Sequence, residues 1–195
     1  MLLMRKAELA RTTKETDIRL SLNLDGNGNA DIQTGIGFFD HMLTALCVHA
    51  GFDLTVRVKG DLYVDSHHTI EDTGIVLGAA FKKSLENSPA IERYGSFYIP
   101  MDEALGFVSL DVSNRPYLVW DCAFSSDRIG DFDTQMAEEF FRAFAVNGGI
   151  TLHARVLYGK NDHHKAEALF KALGHSLKAA VIPKEGTVLS TKGVL

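Results

Sequence analysis

From Asp17 to Leu24 the chain alternates apolar and polar side chains, the period of a strand with one buried face. Asp25-Gly-Asn-Gly28 follows with the residues of a hairpin turn, and a short strand to Thr34 is expected beyond it. Three later segments, Arg93–Met101, Ala104–Asp111 and Tyr117–Ala123, predict further strands. In 36–50 and 135–146 the apolar positions recur every three and four residues. Each run is closed by a glycine that suits a helix C-cap, Gly51 and Gly149. Phe52–Val58 and Ile150–Tyr158, rich in β-branched residues, read as strands. Second helices are expected from about Ser66 to Asn87 and from Asp162 to Val181.

The elements repeat. With His41 written above Glu139, Ala45 falls on Ala143, Val48 on Val146, Gly51 on Gly149, and Arg57-Val58 on Arg155-Val156. A His-His doublet follows in each half: His67-His68 comes 26 positions after His41, and His163-His164 comes 24 after Glu139. No Pro- or Ser-rich linker intervenes, and Asn87-Ser-Pro89 is only a turn. The pattern predicts an α+β fold in which one unit, residues 1–195, contains two similar halves, 1–90 and 91–195. Each half would have a small, mostly antiparallel sheet and two helices.

The doublets carry the most distinctive chemistry. Both stand at the start of a helix, in Ser66-His-His-Thr-Ile-Glu71 and Asp162-His-His-Lys-Ala-Glu167, with Ser66 and Asp162 as candidate N-caps. Glu71 and Glu167 lie four residues after the first His and three after the second, on one helix face. The positive end of a helix disfavours imidazolium, which would keep the rings neutral and able to ligate. Adjacent histidines cannot point the same way, so a doublet would serve two metals, or one metal and a neighbouring subunit's site. With His41 and Glu139 the candidate ligands are His41, His67, His68, Glu71, Glu139, His163, His164 and Glu167. Mixed imidazole and carboxylate ligation favours Mn, Fe, Co or Zn over Ca or Mg. A single His-His-x-x-Glu is weak evidence; its recurrence in a duplicated frame is much stronger. His49, His153 and His175 gain nothing from the repeat and are taken as structural.

Composition limits the alternatives. The chain has 195 residues, eight histidines, 46% hydrophobic and 23% charged residues, and a net charge of −5, an ordinary globular balance with no basic character for nucleic acid. The longest apolar run, near 42–52, is too short for a membrane span, and Met1–Ala10 is charged too early for a signal peptide. Cys47 and Cys122 form no paired motif and read as reduced thiols in a cytoplasmic protein. There is neither a Walker loop nor a GxGxxG motif for a nucleotide. Lys171, one turn after Glu167, is either a solvated helix lysine or a group for a charged substrate tail. Arg93, Arg115 and Ser190-Thr-Lys192-Gly add phosphate-type donors.

Several motifs, in this order along the chain, carry a resemblance to one family. They are Arg11-Thr-Thr-Lys-Glu-Thr16, Thr34-Gly-Ile-Gly-Phe-Phe-Asp-His-Met-Leu43, Asp65-Ser-His-His-Thr-Ile-Glu-Asp72, Gly159-Lys-Asn-Asp-His-His164, Glu167-Ala-Leu-Phe-Lys-Ala172 and Ser190-Thr-Lys-Gly-Val-Leu195. Together the sequence resembles the imidazoleglycerol-phosphate dehydratases, in their monofunctional form. The resemblance implies a duplicated α+β fold, two Mn(II) ions per active site, the eight ligands above, and sites between subunits of a 24-subunit shell. Many members carry His where Glu139 stands here, which leaves metal preference open. It further implies that Arg93, Arg115, Lys171, Ser190 and Lys192 bind phosphate and that Glu15 and Asp102 lie near the glycerol hydroxyls.

The reaction so implied converts D-erythro-imidazole-glycerol phosphate to imidazole acetol phosphate in histidine biosynthesis. Its difficulty is a C2 proton with no adjacent carbonyl. Metals that turn the imidazole into an imidazolate would let its electrons expel the C3 hydroxyl, giving a diazafulvene whose C2 proton is acidic. Glu167 or Glu15 would be the acid/base, with Glu71 the symmetric competitor. The ligand set alone would also allow a two-metal hydrolase of a phosphorylated small molecule, or a metal-storage protein.

Overall fold

The computed structural model describes residues 5–86 and 88–186, and its elements come in two series. The first runs β1 (Lys6–Thr12), β2 (Thr16–Asn23), β3 (Ala30–Gln33), α1 (Gly37–Ala50), β4 (Asp53–Gly60) and α2 (His67–Leu85). The second runs β5 (Tyr94–Met101), β6 (Ala104–Val112), β7 (Tyr117–Asp121), a ribbon of β8 (Arg128–Ile129) and β9 (Phe132–Asp133), α3 (Gln135–Gly148), β10 (Ile150–Tyr158) and α4 (Asp162–Ala180). Each series builds a four-stranded sheet of the same order, β1-β2-β4-β3 and β5-β6-β10-β7. In each, two pairings are antiparallel and the last is parallel. This is the duplicated α+β fold that the repeat predicts.

Two local expectations need correction. The turn at Asp25–Gly28 does not close a hairpin. β4 lies between β2 and β3, and β3 runs parallel to β4, as a strand-helix-strand crossover through α1 requires. The turn is instead held from outside: the Asp53 carboxylate accepts from the backbone N–H of Asn27 (2.9 Å) and Asn29 (3.0 Å). The second correction adds β1, which pairs antiparallel with β2 from Lys6 to Thr12 and supplies the fourth strand of the first half. Its only fully buried side chain is Ala7, so this edge strand shows little apolar alternation in the sequence.

The helices pair across the repeat, α1 along α4 and α2 along α3. Between them lies an aromatic core in which Phe81, Phe140, Phe141, Phe144 and Phe170 are all essentially inaccessible. The Phe140 and Phe170 rings stack 5.3 Å apart, joining α3 to α4. Each such ring contributes about 2–3 kcal/mol of burial free energy. Gly51 and Gly149 close α1 and α3 in the left-handed region, φ 69° and 67°, as the sequence expects. Cys47 and Cys122 are unpaired, and burial pushes their thiols up to about 11 and about 12. Among the described residues no helix is long and apolar enough to cross a membrane.

Candidate metal centre

Both doublets occupy the first turn of a helix, but the caps differ from expectation. At α2 the Asp65 carboxylate accepts from the N–H of His67 (2.8 Å), while Ser66 makes no side-chain cap bond. At α4 the N-cap is Asn161, whose Oδ1 accepts from the N–H of His163 (2.9 Å) and His164 (3.4 Å). Asp162 turns inward, accepting from the Ser125 and Ser126 N–H groups and from Lys165 Nζ at 2.8 Å. Its place just before the doublet is therefore that of a buried anchor.

The α1/α4 pairing brings His41 to the α4 motif. His41 Nε2 is 3.3 Å and His163 Nε2 3.1 Å from the same oxygen, Glu167 Oε2. Phe38 stands edge-on to both imidazoles, 6.4 and 5.0 Å between centroids. One ligating atom from each of His41, His163 and Glu167 lies within 4.8 Å of the other two, and this is the one such trio among the described residues. Two imidazoles and a carboxylate converging from two helices fit a first-row divalent ion by the chemistry of their donors. Burial works against ionisation of Glu167, but Lys171, with Nζ 2.7 Å from Oε1, and His41 outweigh it and hold the carboxyl below its usual pKa.

In the other half His67 Nε2 lies 3.5 Å from Glu71 Oε2. Glu139 is on α3, the partner of α2, and its carboxylate lies 3.6 Å from Arg142 Nε. No trio of donors joins these three among the described residues.

The second histidine of each doublet points elsewhere, the rings of a doublet being 6.1 Å apart and steeply inclined. His68 Nδ1 bonds to Asp61 (3.0 Å), and its Nε2 faces Glu15 at 3.7 Å. His164 Nδ1 bonds to Glu103 (2.7 Å), and its Nε2 faces Asp102 at 3.6 Å. These carboxylates raise the pKa of both histidines, so at these two rings direct bonds outweigh the helix end that was expected to disfavour the charge. Backbone N–H bonds from Asn161 and Lys160, with His164, take Glu103 down to about 2. Glu15 and Asp102 thus sit at matched hairpin tips, β1–β2 and β5–β6. Asp61 and Glu103 escaped the sequence reading because no spacing ties either to a doublet; only folding brings Glu103 to a histidine 61 residues away.

The anion-binding candidates do not gather in one place. Lys171 is beside Glu167, its Nζ also 3.5 Å from Met101 Sδ. Arg93 is buried, donates to both oxygens of Asp111 at 2.6 and 3.0 Å and lies over the Tyr94 ring. Arg115 is exposed and reaches the same carboxylate at 3.5 Å. The Arg93 N–H bonds to Ala180 O, at the far end of α4 from His163. Seventeen residues of helix separate that carbonyl from His163, about 25 Å at 1.5 Å per residue. Ser190 and Lys192 lie outside the described residues.

Fold and site together define a class: a twice-repeated α+β enzyme chain with a His/Glu cluster of metal-ligating type. The family pattern described as imidazoleglycerol-phosphate dehydratase matches residues 34–177. An imidazoleglycerol-phosphate dehydratase of Clostridium novyi is 54% identical over 193 residues, covering 98% of both chains. One from Caldanaerobacter subterraneus is 57% identical over 98% of this chain and 100% of its own. Among solved structures, the Staphylococcus aureus dehydratase superposes with a TM-score of 0.84 at 38% identity, covering 92% of this chain and 99% of that one. The Pyrococcus furiosus protein, in complex with (S)-C348, gives 0.84 at 40%, covering 96% and 100%. The chain belongs to the imidazoleglycerol-phosphate dehydratase family, hydro-lyases of histidine biosynthesis.

Proposed function

We propose that this chain dehydrates imidazoleglycerol phosphate to imidazole acetol phosphate with two divalent ions, Mn(II) in the first instance, at sites shared between copies of itself. The observation that carries the metal reading is the meeting of His41, His163 and Glu167, three residues chosen as ligands from sequence alone and supplied by two helices. His67, Glu71 and Glu139 are the matched set on α2 and α3. His68 and His164 turn their Nε2 atoms away from their doublet partners, toward the hairpin tips, and would ligate ions held in part by a neighbouring copy. Bound there, the ions supply Lewis acidity toward the substrate's imidazole.

The protein's own groups do the rest. Glu167 is taken up by two imidazoles and Lys171, which suits a ligand. Glu15, half exposed beside His68, would take the C2 proton, with Glu71 the alternative. Asp102 would orient the glycerol hydroxyls. Lys171, Arg93, Arg115, Ser190 and Lys192 would clamp the phosphate and align the chain for elimination. The roughly 25 Å between Arg93 and His163 supports a clamp drawn from another subunit, and hence a homo-oligomer such as the 24-subunit shell. We place the enzyme in the cytoplasm, as one domain of two repeats meeting near residue 90.

The test is direct. Metal-stripped protein, incubated with imidazoleglycerol phosphate, should produce the enolisable ketone only after Mn(II) is added, with the phosphate retained. Full activity with no transition metal bound would refute the metal role. Release of inorganic phosphate instead of ketone would point to a hydrolase.

A further inference from the structure

We propose that Asp61 and Glu103 are positioning residues that fix the proton of His68 and His164 on Nδ1 and so hold each Nε2 ready to ligate a metal. This inference rests on the reading of His68 and His164 as metal ligands.

The geometry is the same at both rings. Asp61 offers both oxygens to His68 Nδ1, at 3.2 and 3.0 Å, and Glu103 offers Oε2 to His164 Nδ1 at 2.7 Å. An ionised carboxylate only accepts, so Nδ1 must carry the proton, and in the neutral ring the lone pair then resides on Nε2. Each Nε2 faces a hairpin-tip carboxylate, Glu15 at 3.7 Å and Asp102 at 3.6 Å, both beyond hydrogen-bonding distance. Glu103 is itself immobilised: its Oε1 accepts from the N–H groups of Lys160 (2.9 Å) and Asn161 (2.7 Å), on the loop that caps α4.

The two carboxylates are not repeat equivalents, which gives the matched contact its weight. Asp61 comes from the loop between β4 and α2. At the spacings that align the flanking elements, 96 residues for the doublets and 98 for Arg57 with Arg155, its counterpart is Leu157 or Gly159, neither able to accept a side-chain bond. The strands of the two hairpins match at a spacing of 88, Leu9 with Phe97 and Leu20 with Val108, which sets Glu103 opposite Glu15. Glu15 faces Nε2 of its histidine, whereas Glu103 bonds to Nδ1 of the other. Where the second half lacks an Asp61, its hairpin glutamate takes that place and Asp102 takes the place facing Nε2. Inheritance from the duplication would have kept the same residue at the same atom. Different residues reaching Nδ1 in each half point to a requirement at that atom.

Titration of Mn(II) into the metal-free protein, followed by the electron paramagnetic resonance of the free ion, tests this. Asp61→Ala and Glu103→Ala should each weaken binding at one class of site by about 10–100-fold. Asp61→Asn, which keeps an acceptor, should restore part of the loss. In a His68→Ala background Asp61→Ala should cause no further loss, and the same should hold for Glu103→Ala with His164→Ala. Unchanged affinity in Asp61→Ala and Glu103→Ala, with sites lost in the histidine variants, would overturn the positioning role alone. Losses that persist without the histidine would reduce the carboxylates to structural groups and overturn it too. Unchanged sites in His68→Ala and His164→Ala would remove the ligand reading beneath it.

Discussion

Gly174→Ala should destabilise the protein, although glycine-to-alanine in a helix ordinarily stabilises by about 1 kcal/mol. At Gly174 α4 packs closely on α1: a Cβ there would sit 2.6 Å from Leu46 O, 3.0 Å from Ala50 N and 3.1 Å from His49 Cβ. The first two are backbone atoms in a helix and cannot swing aside. Restoring ordinary contact requires the helices to part by roughly 0.8 Å, and overpacking of this kind costs about 1–3 kcal/mol. Against the helical gain we expect a net loss of up to about 2 kcal/mol, or up to roughly 8 °C in Tm for a chain of this length. Gly78 repeats the situation between α2 and α3, its Cβ 2.6 Å from Phe144 O and 2.9 Å from Gly148 N. Gly37, with nothing within 4 Å, is the control, and Gly37→Ala should be neutral or stabilising. The assay is thermal and urea unfolding of metal-free protein at one concentration. Parting α1 from α4 also moves His41 from Glu167, now 3.3 Å apart, so Gly174→Ala should weaken Mn(II) binding where Gly37→Ala does not. A Gly174→Ala protein stabilised by the full helical gain of about 1 kcal/mol would refute the close-approach argument.

Other outcomes follow from individual groups. Lys171→Ala should raise KM for the phosphorylated substrate about tenfold or more, the worth of a charged hydrogen bond, and steady-state kinetics will show it; an unchanged KM would remove Lys171 from the clamp. Asp162→Ala should cost about 3–5 kcal/mol in urea unfolding, because it strands Lys165, whose side chain is 9% exposed. Burial and then neighbouring positive charge lower the pKa of His49, and the same order of causes lowers that of His175, both from 6.5. The unfolded chain therefore binds these protons more readily. The pair's contribution is fully present above the unfolded value of about 6.5 and is lost as pH falls below it through the lowered folded values. The double variant His49→Gln, His175→Gln should accordingly lose less stability than its parent between roughly pH 7 and pH 5 in metal-free urea titrations. His68 and His164, raised instead, act with the opposite sign in both proteins and cancel in the comparison.

The sequence by itself determined the repeat, every helix, seven of the eight main strands and the placing of both doublets in first turns. These are local matters: apolar period and a glycine that accepts positive φ. It also singled out His41, His163 and Glu167 as candidate ligands, because duplication sets a His or a Glu at each matched position against a varying background. The tertiary structure decided what depends on distant pairing. It put β4 between β2 and β3, since a strand's neighbour is set by the crossover through α1 and not by the turn that precedes it. It joined α1 to α4 across the repeat, without which His41 and Glu167 have no reason to meet. It brought Glu103 to His164 and left Arg93 at the far end of α4. Spacing along a chain reports which side chains share a face; which faces meet is settled only when the whole apolar surface is buried at once.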